Sequence, residues 1–300
     1  MPRIEAVVAV AGWEERFALG VETDITAHTP RRLLVIVFAE YEEQTRMNRL
    51  RIKGFCEARA LKYAEINVRR RAPAEVWQQL HQAFAETRFN GKQVLVDITT
   101  MPREVIWWSF RALQSVNAHV SYIYYKPGAY APGWVTRDTE RPRLVYQSSG
   151  VSEFGKDTCL LLVSGFDTDR AAQMLQFFEP AVTLIAIQSG DQFRNQSENV
   201  NRHKVAIRAS AQISYFEVDA YSPDHGLAAM DKATVEVRQK YNVVLASLGP
   251  KLSAVALYRL QQEYPNLALA YAPSRQFNPG YSTGIGEAVA GTLDGILATE

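Results

Sequence analysis

The sequence predicts an α/β protein of two tandem Rossmann-like halves, residues 1–150 and 151–300, with mostly parallel sheets related by pseudo-two-fold symmetry. Three observations lead there. Short, continuously apolar runs rich in Val, Ile and Leu recur along the chain, the pattern of strands buried on both faces. Segments with helical spacing separate them, which implies crossover helices covering a parallel sheet. The same succession of motifs also occurs twice, at an offset between 147 and 154 residues.

In the first half, strands are predicted at Ala6–Val10, Leu33–Phe38, Ala64–Val68, Val94–Ile98 and Val120–Tyr125. Helical patterns fall between them, at Arg16–Glu22, Tyr41–Ala60, Pro73–Ala85 and Glu104–Val116. Pro73 suits a first helical turn, where its missing N–H leaves no bond unmade. The second half repeats the scheme, with strands at Leu160–Ser164, Thr183–Gln188, Ile213–Val218, Val243–Ser247 and Leu267–Ala272. The polar stretch Arg137 to Asp157 carries the boundary, and its "RLVYQS" is an extra short strand or a strap. Near the C-terminus, "GIGEAVAGTLDG" has Val289 where a dinucleotide fingerprint needs Gly, so it reads as a terminal helix with small residues for close packing.

The repeat rests on four matches in the same order. "AVVAVAGWEERFALG" resembles "CLLLVSGFDTDRAAQML", pairing Gly12 with Gly165, Trp13 with Phe166, Glu14 with Asp167 and Arg16 with Arg170. "TPRRLLVIVFAEY" aligns with "EPAVTLIAIQSGD", Pro30 on Pro180. "VLVDITTMPREVIWWSF" aligns with "NVVLASLGPKLSAVALYRL", placing Pro102 on Pro250 and Arg103 on Lys251. "YIYYKPGAYAPGW" aligns with "ALAYAPSRQFNPGY".

Composition narrows the function classes. Basic and acidic residues nearly cancel, 33 against 32, which argues against coating nucleic acid or an anionic membrane through bulk charge. No run of eighteen apolar residues suggests a membrane span. Cys56 and Cys159 stand far apart and outside any CxxC pair, so neither a zinc site nor a disulfide framework is indicated, and a reduced cytoplasmic setting is expected. The five histidines show no metal spacing, and no nucleophile elbow, P-loop or Ser/His/Asp order emerges. No cofactor is expected.

Open parallel sheets bind ligands beyond the carboxyl ends of their strands. The repeated loops, after the first and fourth strands, lie there. Asp97, Thr99 and Thr100 offer one acceptor and two hydroxyls, the following helix offers free N–H groups, and Arg103 offers a fork for an anion. Helix capping alone explains the same loop, with Thr100 as N-cap and Glu104 in the first turn. Ser247, Gly249 and Lys251 are the counterparts in the second half, where Asp97 has no acidic equivalent. Gly12 and Gly165 permit either close approach to a ligand or a tight turn. Arg16 and Arg170 face a cleft or serve structure, and Trp13 and Phe166 stack on a base or pack in the core. Glu14 and Asp167 complete that loop, while Arg194 and Asn195 in the polar "QFRNQSENVNRHK" could read a base or ribose.

The fourth-strand loop, Asp97-Ile98-Thr99-Thr100-Met101-Pro102-Arg103, resembles the Asp-x-Thr-Gly-Gly-Thr-Lys loop of the CARF superfamily, in which paired Rossmann-like domains clasp cyclic oligonucleotides about a two-fold axis. The glycines are absent here. The resemblance implies a sensor of a nucleotide ligand, such as a cyclic oligonucleotide in bacterial defence, with its two halves enclosing the ligand and a separate effector protein or homo-oligomer completing the response. Two further expectations stand: a metal-independent phosphodiesterase using Thr99, Arg103 and Lys251, and a scaffold with a vestigial pocket.

Overall fold

The structure, a computed structural model, describes residues 3–130, 136–165, 167–189 and 212–293. The chain divides into two compact units, Met1–Gly133 with Pro279–Glu300, and Trp134–Asn278. Unit 1 runs β1 (Ile4–Val10), α1 (Glu15–His28), β2 (Arg32–Phe38), α2 (Glu42–Glu57), β3 (Lys62–Val68), α3 (Pro73–Thr87), β4 (Gln93–Asp97), α4 (Arg103–Ser115), β5 (His119–Tyr125) and β6 (Ala129–Tyr130). Unit 2 begins with β7 (Thr136–Thr139) and β8 (Arg143–Leu144), then β9 (Thr158–Val163), α5 (Thr168–Phe178), β10 (Val182–Gln188) and β11 (Gln212–Val218). It continues through α6 (Leu227–Thr234), α7 (Val237–Lys240), β12 (Asn242–Ser247), α8 (Lys251–Glu263), β13 (Ala268–Tyr271) and β14 (Ser274–Phe277). The chain then returns to unit 1 with β15 (Ser282–Thr283) and β16 (Ala288–Thr292).

The predicted α/β class with two mostly parallel sheets is what the structure has. One sheet is ordered β16-β5-β4-β1-β2-β3 and the other β11-β10-β9-β12-β13-β8. Five strands in each are parallel, and β16 and β8 join antiparallel, against β5 and β13 respectively. In both sheets the parallel order places the third strand of the unit at one edge and the first beside the fourth. The chain direction therefore switches sides between β1 and β4, and between β9 and β12, which is where such sheets open a crevice at their carboxyl ends.

Burial follows from composition. Val7, Val8, Val35 and Val96 are fully buried in unit 1, as are Leu160, Leu161, Leu162 and Ile185 in unit 2. Each such side chain contributes about 1.5–3 kcal/mol of transfer free energy before entropy is counted. The edge strands β3 and β11 alternate exposed and half-buried positions in one identical pattern, and both retain a buried Val at the end, Val68 and Val218. Helices α4 and α8 are buried along most of their length, through Trp107, Trp108 and Phe110 in one and Leu252, Val255 and Leu257 in the other. Trp107 and Trp108 are thus core residues. By contrast, α2 buries only Thr45, Ile52 and Cys56, and its basic run is a solvated face with Arg49 paired to Glu65 and Arg51 to Glu22.

Three expectations differ from what forms. The halves were expected to part at residue 150, whereas each unit takes its antiparallel strand from the chain that follows the other unit's fifth parallel strand. "RLVYQS" supplies one of these, β8. "GIGEAVAGTLDG" supplies the other, β16, as a strand and not a helix. Its small residues do serve close packing, since a Cβ at Gly291 would come 2.6 Å from the Tyr122 ring carbon that bears the hydroxyl. The first helix is also longer than predicted. Its polar residues do not break it, because the Thr23 and Thr26 hydroxyls donate to the Leu19 and Glu22 carbonyls one turn back.

Candidate functional site

In unit 1 the loops after β1 and β4 meet. A Cβ at Gly12 would lie 2.9 Å from both Cβ and Cγ2 of Thr100, so glycine is required for contact between the two loops. The Thr100 hydroxyl donates to the Val10 carbonyl at 2.7 Å, and Asn48 Nδ2 donates to the Gly12 and Glu14 carbonyls. The Thr99 N–H donates to Asp97 Oδ1 at 2.8 Å, and the Thr99 hydroxyl accepts the Tyr125 N–H at 3.0 Å. Asp97 and Thr99 are 2% and 0% exposed. These groups hold the loop in shape. The N-cap of α4 is Pro102, with no side-chain cap, and not Thr100. Arg103 stands at the first helical position, half-buried. Trp13 packs edge-on to Tyr41 with ring centroids 5.3 Å apart.

Beneath this loop lies a buried acid that no sequence pattern marks. Asp24, on α1, is fully buried and accepts the Tyr125 hydroxyl at 2.7 Å, while its Oδ2 meets no hydrogen-bond partner among the described residues. Burial, the charge of nearby Asp97 and, in opposition, the Tyr125 bond push its carboxyl up to about 8. Burial and the two carboxylates raise the Tyr125 phenol as well. Gly20 faces the same spot, where a Cβ would come 3.1 Å from Asp97 Oδ2 and from the Tyr125 ring.

The first-strand loops carry a matched cluster in both units. In unit 1, Arg16 pairs with Glu14, donating from Nε at 3.0 Å, and its Nη1 donates to the Tyr125 carbonyl at the end of β5 at 3.3 Å. Ser282, on the returning β15, donates to the same Glu14 carboxylate at 2.5 Å. In unit 2, the Arg170 N–H donates to Asp167 Oδ1 at 3.0 Å, its guanidinium donates to the Ala272 carbonyl just past β13, and Thr136 of β7 donates to Asp167. Acid, arginine, hydroxyl and strand-end carbonyl recur with the same roles. Arg16 is 4% exposed and Arg170 is 6% exposed, so both arginines serve structure and do not face a cleft. Burial, with Tyr124 adding and Arg16 opposing, pushes the nearby Tyr281 phenol up to about 12.

The second-half loop is built differently. A Cβ at Gly165 would overlap the Leu248 carbonyl, and one at Gly249 would come 2.8 Å from the Ser164 carbonyl, so the loops after β9 and β12 pack backbone to backbone. Helix α8 starts after Pro250 with no side-chain cap, and Lys251 is its first residue. The Ser247 hydroxyl, 3% exposed at the end of β12, has no hydrogen-bond partner among the described residues. The same holds for Ser253, fully buried in the first turn of α8. Ser247, Gly249 and Lys251 thus stand together on one short loop. Phe166, Arg194 and Asn195 lie outside the described residues.

The sequence reading missed Asp24, Tyr125, Ser282 and Thr136. The last two had a usable signal, because Thr136 and Ser282 stand 146 residues apart, close to the repeat offset.

No family model matches the chain. No curated protein matches it either. Among solved structures it is similar to the cytoplasmic domain of a prokaryotic cation chloride cotransporter, at 9% identity over 94% of this chain and 98% of that one, with a TM-score of 0.31. It is also similar to UDP-GlcNAc 2-epimerase from Neisseria meningitidis, at 10% identity over 81% and 76% of the two chains, with a TM-score of 0.27. No helix among the described residues is long and apolar enough to cross a membrane.

Proposed function

We propose that the chain is an internally duplicated nucleotide-binding sensor module whose ligand contacts concentrate on the loop between β12 and α8. The observation that carries this reading is the Ser247 hydroxyl. A buried hydroxyl without a partner among the described residues costs about 1–3 kcal/mol, and here it stands at a sheet switch point, at the end of the strand that leads into the first turn of α8, which has no side-chain cap. An anion seated there would accept the helix N–H groups and the Ser247 proton together. The equivalent loop of unit 1 has its hydroxyls engaged by the backbone, so Arg103 contributes less than Lys251 in this reading. The same engagement removes Thr99 and Thr100 from a cleaving role, which favours binding over phosphodiester cleavage.

Support for duplication comes from the shared strand order and the matched acid, arginine and hydroxyl clusters. The resemblance to CARF loops suggests a cyclic oligonucleotide as ligand, with the response passed to a separate effector protein. Calorimetry with mononucleotides, dinucleotides and cyclic oligoadenylates tests this reading, followed by chromatography of the recovered ligand. The expected result is binding of at least one nucleotide, its recovery intact, and at least tenfold weaker binding by Lys251→Ala and Ser247→Val. Absence of binding across the panel, or unchanged affinity in both variants, would refute it. Recovery of linear products would instead establish cleavage.

A further inference from the structure

At the opposite end of the first sheet, where β1, β2 and β3 begin and α1 and α2 end, lies a concavity of about 700 Å³. Five cations line it, Arg3, Arg31, Arg32, Arg59 and Lys62, and no carboxylate among the described residues does. Glu5 is the acid closest to them in function, 3.1 Å from the Arg32 guanidinium and 3.7 Å from that of Arg31. Even so, Arg32 Nε is buried and without a hydrogen-bond partner among the described residues. The guanidinium of Arg59 lies 3.6 Å from the centre of the Phe55 ring, which orients it without neutralising it. Arg3 and Lys62 are exposed and have no ion pair among the described residues.

The charges do not balance. Glu5 supplies one negative charge, and the carboxyl ends of α1 and α2 about half a charge each. Roughly three of the five positive charges are left unmatched in one hollow. Cations held together without counter-charge repel one another, and a fold keeps them at a cost unless an anion joins them. The volume falls within the range of about 300–1,000 Å³ typical of small-molecule sites, and the lining mixes guanidinium forks with Ile25, Pro30 and Leu61.

We propose that this hollow binds a small, multiply charged phosphate compound, at a site separate from the switch-point loops. Guanidinium groups from three different segments can each meet a phosphate oxygen in fork geometry, and Lys62 adds a point charge. A concave site suits a compact oligophosphate better than a flat membrane or an extended nucleic acid.

The test is isothermal titration of the full chain with inorganic tripolyphosphate at low and at 0.3 M salt. The wild type is expected to bind at low salt and to weaken as salt rises. Arg59→Gln with Lys62→Gln, both on exposed positions, is expected to reduce affinity at least tenfold while thermal unfolding stays as in the wild type. In a Lys251→Ala background, where the site proposed above is weakened, Arg59→Gln with Lys62→Gln should still reduce tripolyphosphate affinity at least tenfold, which separates the two sites. If the double variant were to lose stability, Arg3→Gln with Lys62→Gln provides the same reading. No titratable binding at low salt, equal affinity in the charge-neutralised variants, or binding of anionic vesicles but not of tripolyphosphate would overturn the proposal.

Discussion

Asp24→Asn isolates the buried carboxyl beneath the first switch point. An aspartate whose carboxyl is pushed from 3.8 to about 8 in the folded protein holds its proton where the unfolded chain has lost it. A raised carboxyl favours the folded state at low pH. Its contribution is therefore fully present below about pH 4, declines as pH rises, and is lost above about pH 8. Between those limits stability should fall by about 1.4 kcal/mol per pH unit, an upper limit of about 6 kcal/mol across the window. Asparagine keeps an acceptor for the Tyr125 hydroxyl and carries no charge. Chemical denaturation followed by circular dichroism from pH 4 to pH 9 should show the variant matching the wild type at pH 4 and exceeding it by several kcal/mol at pH 9. Parallel curves at all pH values, or a wild type that gains stability between pH 5 and pH 8, would refute the assignment of a neutral buried acid.

The remaining predictions concern packing and reactivity. Gly165→Ala drives a methyl group into the Leu248 carbonyl and should cost about 3 kcal/mol or more, whereas Gly12→Ala presses on the Thr100 side chain, which must give way against its bond to the Val10 carbonyl, and should cost about 1–3 kcal/mol. Differential scanning calorimetry should rank their melting temperatures in that order. Arg170→Ala leaves the Ala272 carbonyl and the Asp167 carboxylate short of a partner, and a loss of about 3–5 kcal/mol is expected in urea denaturation. Burial pushes the Cys56 and Cys159 thiols up to about 11 and about 12. Ellman's reagent at pH 8 should therefore react negligibly with the folded protein and with both thiols after unfolding.

The central strands were legible because each is a short apolar run, and the mixed edge strands β3 and β11 because β-branched and aromatic residues recur in them between helical segments. The parallel direction followed from the helices between them. What eluded the sequence was the destination of the two connecting tails. A two-residue strand such as Arg143–Leu144 carries no periodicity, and Ala-Val-Ala-Gly suits a helix as well as a strand until Tyr122 is known to lie against it. The site residues were legible as types and positions but not as roles. Thr99 and Thr100 offer hydroxyls in any reading of "DITT", but it is the fold that brings the Tyr125 N–H and the Val10 carbonyl to them. Asp24 shows the reverse, a helical aspartate indistinguishable in sequence from a solvated one.

The two tails also bear on how the protein can be handled. A gene cut at residue 150 would yield a first product lacking β16 and a second lacking β8, each with an exposed fifth strand whose backbone groups invite foreign pairing. Neither fragment would be a self-sufficient domain, and mixing the two should restore what each lacks. Selection acting on either half alone would thus meet the other at its sheet edge, which ties the evolution of the two together.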